Sequence, residues 1–184
     1  MRALVVYESM YGNTHAVAVS IAAGLSTRHD VTLVPVTRAT PELVAAADLL
    51  VAGGPTHLHR MSTAASRRWA ADAARKQGGR LTMDPDADGP GVRGWLEGVG
   101  SLGGLNTLAV AFDTRLSGVP LFTGRASGGI SRLLAGRGCR MVAAPESFLV
   151  SKKDTLRDGE AARARAWGAM IGAAASDLYA PTVA

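Results

Sequence analysis

The sequence predicts an α/β protein in three layers, a five-stranded parallel sheet covered by helices on both faces. Two patterns carry that expectation. Apolar, β-branched runs such as Ala3 to Tyr7 lack polar alternation, as strands buried on both faces do. Between these runs, apolar residues recur every three or four positions, the helical period. Regular alternation of the two kinds of segment calls for right-handed crossovers and a parallel sheet. The 184 residues suit one domain, expected over 1–184, with an extended connection at about 77–106.

The first strand is Ala3 to Tyr7, and a glycine-containing loop follows it. From Thr14, the positions Val17, Ile21 and Leu25 recur every fourth residue, with Ala18 and Ala22 beside them, which makes a helix. Val31 to Val36 reads as the second strand and Pro41 to Ala47 as a short helix. Leu49 to Gly53 reads as the third strand, broken at Gly53-Gly54-Pro55. Ser62 is a good N-cap for a helix running through Trp69 to about Lys76. Gln77 to Pro90, rich in Gly, Pro and Asp, is expected to be a surface excursion, and a short helix follows around Gly94 to Val99. Thr107 to Phe112 gives the fourth strand, Ser127 to Arg137 a helix, and Arg140 to Ala144 the fifth strand, where Pro145 is expected to end pairing. A last helix begins near Gly159 with Ala164, Trp167, Ile171, Ala174 and Leu178 on one stripe.

Composition narrows the function. With 47% hydrophobic and 19% charged residues, the chain is composed as a globular protein. The uncharged run Gly98 to Phe112 falls short of the roughly 20 mostly apolar residues a membrane helix needs, so no membrane partner is expected. Residues 1–7 run into Glu8, too short for the apolar core of a secretory signal, and the expected location is the cytoplasm. The single cysteine, Cys139, rules out an internal disulfide or a Cys-x-x-Cys pair, so redox chemistry requires a bound cofactor. The net charge is +5 and 17 of the 20 basic residues are Arg. The cluster Arg67, Arg68, Arg75, Lys76 and Arg80 lacks the interleaved aromatics of a nucleic-acid surface and reads as a solvated helix face, so no nucleic-acid partner is expected.

In a doubly wound sheet, ligands bind beyond the carboxyl ends of the strands, which directs attention to loops 8–14, 53–62 and 112–125. The first reads Glu-Ser-Met-Tyr-Gly-Asn-Thr and opens onto a helix. Backbone N–H groups at that helix start, with the hydroxyls of Ser9 and Thr14 and the amide of Asn13, suit a phosphate without any basic side chain. The Gly-Lys-Ser/Thr of a nucleotide triphosphatase is missing, and Gly12 stands alone without the Gly-x-Gly-x-x-Gly spacing of a dinucleotide site, so one terminal phosphate fits best. A glycine turn and a capped helix would account for Gly12 and Thr14 but not for the whole run. His57 and His59 fall short of the three or four ligands of a zinc site, so no metal is expected.

Ser9-Met10-Tyr11-Gly12-Asn13-Thr14 resembles the phosphate loop of the flavodoxin-like family, and Gly53-Gly54-Pro55-Thr56 is similar to the Gly-x-Pro-Thr turn of its quinone reductases. The resemblance spans nearly the whole chain. It implies strand order 2-1-3-4-5, with flavin mononucleotide (FMN) at the switch point between strands 1 and 3. It also implies that Ser9, Met10, Tyr11, Gly12, Asn13 and Thr14, the second-loop residues Gly54, Pro55, Thr56, His57 and Leu58, and the third-loop residues Phe112, Asp113, Thr114 and Arg115 bind that cofactor. Arg115 either reaches flavin carbonyl oxygens or makes a surface salt bridge. The implied function is that of an FMN redox protein, in electron transfer or in two-electron, NAD(P)H-dependent reduction of a small acceptor such as a quinone. Its partners are accordingly a redox protein, or NAD(P)H and the acceptor. Family flavodoxins are strongly acidic, so the +5 charge tilts the reading towards the reductase. Tyr11 in place of the usual Thr, and loops without the usual Trp and Tyr around the flavin ring, leave a second reading: a binding or regulatory module of the same fold that has lost FMN. The sequence carries no signature of oligomeric state.

Overall fold

A computed structural model describes residues 1–76, 81–87, 89–99 and 107–179. Its strands are β1 (Arg2–Tyr7), β2 (Asp30–Pro35), β3 (Leu49–His57), β4 (Arg60–Met61), β5 (Leu108–Leu116), β6 (Arg140–Met141) and β7 (Glu146–Val150). Its helices are α1 (Asn13–Leu25), α2 (Pro41–Ala45), α3 (Ala64–Lys76), α4 (Gly91–Gly98), α5 (Pro120–Thr123), α6 (Ala126–Gly136) and α7 (Glu160–Tyr179). The parallel sheet runs β2-β1-β3-β5, and its last position is shared end to end by β6 and β7. This is the expected doubly wound order with extra strands.

Three strands depart from expectation by three residues or more at their ends. β3 continues through Pro55 to His57, pairing Gly54 with Asp113 and Pro55 with Thr114. Its pairing with β1 stops at Tyr7 and Gly53, so the missing N–H of Pro55 falls where a neighbour is absent and costs no ladder bond. β5 correspondingly runs to Leu116 rather than Phe112. The fifth strand, expected over Arg140 to Ala144, stops at Met141, and β7 resumes pairing along Phe112 to Leu116 just after Pro145, as a proline at a sheet edge allows.

Successive β1 residues feed opposite faces, which explains the unbroken apolar run. Val5 and Tyr7 join Ile21, Phe112, Phe148 and Ile171 under α1 and α7. Leu4 and Val6 join Leu50, Trp95, Ile130 and Leu134 under α2, α4 and α6. α1 and α7 approach closely through glycines: a Cβ on Gly24 would overlap the Arg165 carbonyl, and one on Gly168 the Ile21 carbonyl.

α3 belongs to neither core. Its start is fixed one residue later than expected, because Thr63 and not Ser62 caps it: Ser66 N–H donates to Thr63 Oγ1 (3.1 Å) and Thr63 N–H to Ser66 Oγ (2.9 Å). The described part of the 77–90 excursion is not a loose surface loop. Asp84 and Ala87 are buried, Asp84 N–H donates to the Met10 carbonyl (2.8 Å), and Asp86 pairs with Arg38 (3.0 Å). Residues 77–80, 88 and 100–106 of the expected long connection lie outside the described residues. α4, within that connection, is tied down where Trp95 Nε1 donates to the Ala39 carbonyl (3.0 Å).

Candidate functional site: the cleft at the ends of β1, β3 and β5

β1 and β3 end side by side, with Glu8 N–H donating to the Gly53 carbonyl (2.9 Å), and the chain then turns through Ser9 to Gly12 into α1. Gly12 has φ +85°, which a glycine adopts without strain. Its N–H donates to Ser9 Oγ (3.1 Å), closing the turn and leaving the Ser9 hydroxyl proton to serve elsewhere. Gly12 gives α1 no side-chain cap, and no acidic residue lies in the first helical turn. The first N–H groups of α1 therefore face outward with the positive end of the helix dipole. Thr14 Oγ1 and Thr114 Oγ1 lie 2.7 Å apart, so one of the two hydroxyls donates to the other and the second proton stays free for an anion. A Cβ placed on Gly12 would meet nothing within 4 Å, so the space over the loop is open. These groups fit a terminal phosphate.

A cleft of about 180 Å³ opens beside this loop, lined by Met10, Tyr11, Asn13, Thr14, Pro55, Thr56, His57, Thr114, Arg115, Leu116, Val150 and Asp154. The structure thus brings residues of all three loops to one cleft. Leu116, Val150 and Asp154 escape a sequence reading, since they come from strand ends and a turn fixed only in three dimensions. Asp154 enters because its carbonyl accepts the Asn13 side-chain amide (2.8 Å).

Several expected site residues sit elsewhere. Phe112 is fully buried in the α1/α7 core, edge-on to Phe148 with ring centroids 6.5 Å apart, and its ring occupies the space that a side chain at position 53 would need. It faces that side because strand parity pairs it with Val110 and not with Asp113. Asp113 lies under the cleft, fully buried, accepting from Ser127 N–H (2.7 Å) and Thr56 Oγ1 (3.2 Å) through one oxygen. Burial pushes its pKa up, against hydrogen bonds from Ser127, Ser147 and Thr56 that pull it down. Thr56 also accepts from Ala126 N–H (2.9 Å), so Thr56 and Asp113 together cap the start of α6. Gly54 is buried against α4, with Val92 Cγ1 3.0 Å from where its Cβ would lie. Leu58 projects from the β3–β4 turn at φ +47° and is 65% exposed. Tyr11, by contrast, lines the cleft but turns its hydroxyl to the Ala70 carbonyl (2.8 Å), bracing α3.

Arg115 neither reaches across the cleft nor makes a salt bridge. Its Nη1 folds back onto the carbonyls of Leu116 (3.2 Å) and Gly118 (2.9 Å) and onto Thr123 Oγ1 (2.9 Å), leaving the residue 8% exposed. All three partners are neutral, so a fixed cation borders the cleft. His57 places Nδ1 3.2 Å from Ser66 Oγ. Its burial lowers its pKa, opposed by the nearby Glu8 carboxylate and assisted by Arg67. Among the described residues no group of three or more His, Cys, Asp or Glu side chains could hold a metal ion, and no helix is long and apolar enough to cross a membrane.

A phosphate loop at the first strand–helix junction and a cleft at the switch point define a mononucleotide-binding, doubly wound protein. The flavodoxin family profile matches residues 5–119, and the chain belongs to that family. Similar solved structures include a flavodoxin from the domain Archaea (17% identity, 96% of this chain and 99% of that one, TM-score 0.62). Flavodoxin 1 from Bacillus cereus is also similar (17% identity, 93% and 97%, TM-score 0.63), as is a WrbA-like flavodoxin from Agrobacterium tumefaciens (20% identity, 96% and 98%, TM-score 0.57). No curated protein matches the chain. Flavodoxins bind FMN and transfer electrons to redox partners, and FMN is the cofactor of this chain.

Proposed function

We propose that the protein is a cytoplasmic FMN oxidoreductase that takes two electrons from NAD(P)H and passes them to a small acceptor such as a quinone. The phosphate of FMN rests on the 9–14 loop and its ring system lies against Pro55, Thr56, His57 and Leu116. When bound, FMN supplies the redox chemistry, and its fully reduced ring carries negative charge. The observation that carries this reading is Arg115, a cation fixed at the cleft wall by three neutral acceptors with no carboxylate bound to it. Such a charge, shielded from water, stabilises negative charge beside it more than a mobile surface arginine does. The test pairs two measurements on wild type and Arg115→Gln: the flavin midpoint potential, and NADPH oxidation with and without benzoquinone. The proposal expects quinone-dependent turnover in wild type and a lower midpoint potential in the variant. Absence of quinone-dependent turnover would overturn the reductase reading.

One observation favours delivery to a protein instead. Leu58 on the β3–β4 turn and Val119, Leu121 and Phe122 at and in α5 are all more than half exposed, on segments that the contacts of His59 with Gly124 and Arg125 bring together. Exposed apolar side chains collected at one end of a sheet suit a docking partner.

A further inference from the structure

A second cleft, of about 340 Å³, shares Met10 with the first and opens between α3 and a returning stretch that contributes Met83, Ala87 and Gly89. Its size falls within the range of small-molecule sites, roughly 300 to 1,000 Å³. One wall is a single face of α3: Ala64, Arg67, Arg68, Ala71 and Arg75 follow the spacing that puts residues on one side of a helix. The other wall is apolar, with Met10, Met83 and Ala87. The two walls differ in chemistry.

The arginine wall is partly pre-organised. Arg67 is half-buried and its Nη1 donates to the buried Ser62 Oγ (3.2 Å). Its guanidinium lies over Gly91 beside the buried Glu8 carboxylate, whose Oε2 is already taken by Val92 N–H (2.8 Å). Arg68 makes no ion pair among the described residues, and Arg75 pairs with the exposed Asp72 at 3.3 Å, so the wall keeps a net positive charge. Guanidinium groups match phosphate oxygens through paired N–H donors. From Arg67 to Arg75 the helix rises about 12 Å, a span that suits charge spread over linked phosphates better than one compact anion. The methionine wall suits a flat apolar group, since thioethers pack well against aromatic rings.

We propose that this cleft binds the diphosphate and base of an adenine nucleotide, with the phosphates on Arg67, Arg68 and Arg75 and the base against Met10 and Met83. The nucleotide comes either free or as the adenylate half of a dinucleotide. The site shares only Met10 with the flavin cleft, and nothing in the proposal depends on the identity of the electron acceptor. Calorimetric titration with ADP, inorganic pyrophosphate and adenosine, at low ionic strength with FMN in excess, tests it. The expected result is ADP binding at least tenfold tighter than either fragment. Arg68→Gln combined with Arg75→Gln, both exposed positions, should weaken ADP at least tenfold while FMN affinity, read from flavin fluorescence, stays unchanged. NADPH that displaces ADP identifies the dinucleotide as the source, and NADPH that does not identifies the free nucleotide. No ADP binding up to millimolar concentration, pyrophosphate as tight as ADP, or an ADP affinity indifferent to the two arginines would overturn the proposal.

Discussion

Replacing Gly12 by valine attacks the phosphate loop through two separable effects. At φ +85° a β-branched residue is strained, and left-handed backbone costs a non-glycine residue about 1–2 kcal/mol. In a chain of 184 residues that strain lowers Tm by about 2–8 °C. The second effect is steric occupation of the open space over the loop, where an added Cβ meets no protein atom within 4 Å. A phosphate pushed from two charge-assisted N–H bonds, at about 1.5 kcal/mol each, loses about 3 kcal/mol, or about 150-fold in FMN Kd. Titration by flavin fluorescence reads the affinity, and thermal unfolding without FMN reads the strain. Gly12→Asn separates the two, because asparagine tolerates left-handed backbone while its amide still fills the phosphate space. It should unfold close to wild type yet bind FMN much more weakly. A folded Gly12→Asn variant binding FMN within about threefold of wild type would refute the phosphate assignment.

Two further outcomes concern what lies around the cleft. The raised pKa of the buried Asp113 means that its stabilising contribution is complete below the ordinary carboxylate value of 3.8 and is lost as pH rises through the raised folded value, so Asp113→Asn should be at least as stable as wild type at pH 7. Unfolding midpoints across pH 3 to 8 check this; a variant that keeps the wild-type pH profile would show that Asp113 is not its source. Gly168→Val should force α7 away from the Ile21 carbonyl at a cost of about 1–3 kcal/mol, lowering Tm by about 2–12 °C, whereas the exposed Met170→Val should shift it far less. Equal shifts in the two variants would refute close packing of α1 on α7.

What the sequence disclosed and what it hid divide along a physical line. The 9–14 turn is contiguous, and its glycine, hydroxyls and helix start form a local pattern, so its turn and the start of α1 could be read directly. The β3 extension could not, because Gly53-Gly54-Pro55 is a turn signal unless β1 stops at Tyr7, and that depends on pairing. The burial of Phe112 followed from the same omission: with β5 running on to Leu116, residue 112 is an interior strand position, and parity turns it to the core. The fold-back of 81–87 depends on bonds to Met10 and Arg38, more than 40 residues earlier in the chain, and no local pattern announces such contacts. Arginine spacing on α3 was visible throughout, whereas the returning segment that faces it was not.

The distribution of charge around the flavin cleft follows from these placements. On the proposed reading, the phosphate end is served by helix N–H groups and hydroxyls, with no basic side chain from the 8–14 loop among the residues lining the cleft, whereas the opposite wall carries the buried Arg115. Dipolar donors suit a phosphate dianion whose charge is the same in every redox state, since they hold it without responding to electron transfer. A full charge acts differently. Placed beside the groups whose charge changes on reduction, it shifts the balance between redox states, and its effect is larger where burial limits screening by water and salt. Phe112, withdrawn into the core, and Leu58, turned outward, leave that wall without a stacked aromatic cover. On that reading, cofactor retention falls to the junction of β1 with α1 and redox tuning to β5, and α1 and β5 meet directly in the 2.7 Å hydrogen bond between Thr14 and Thr114.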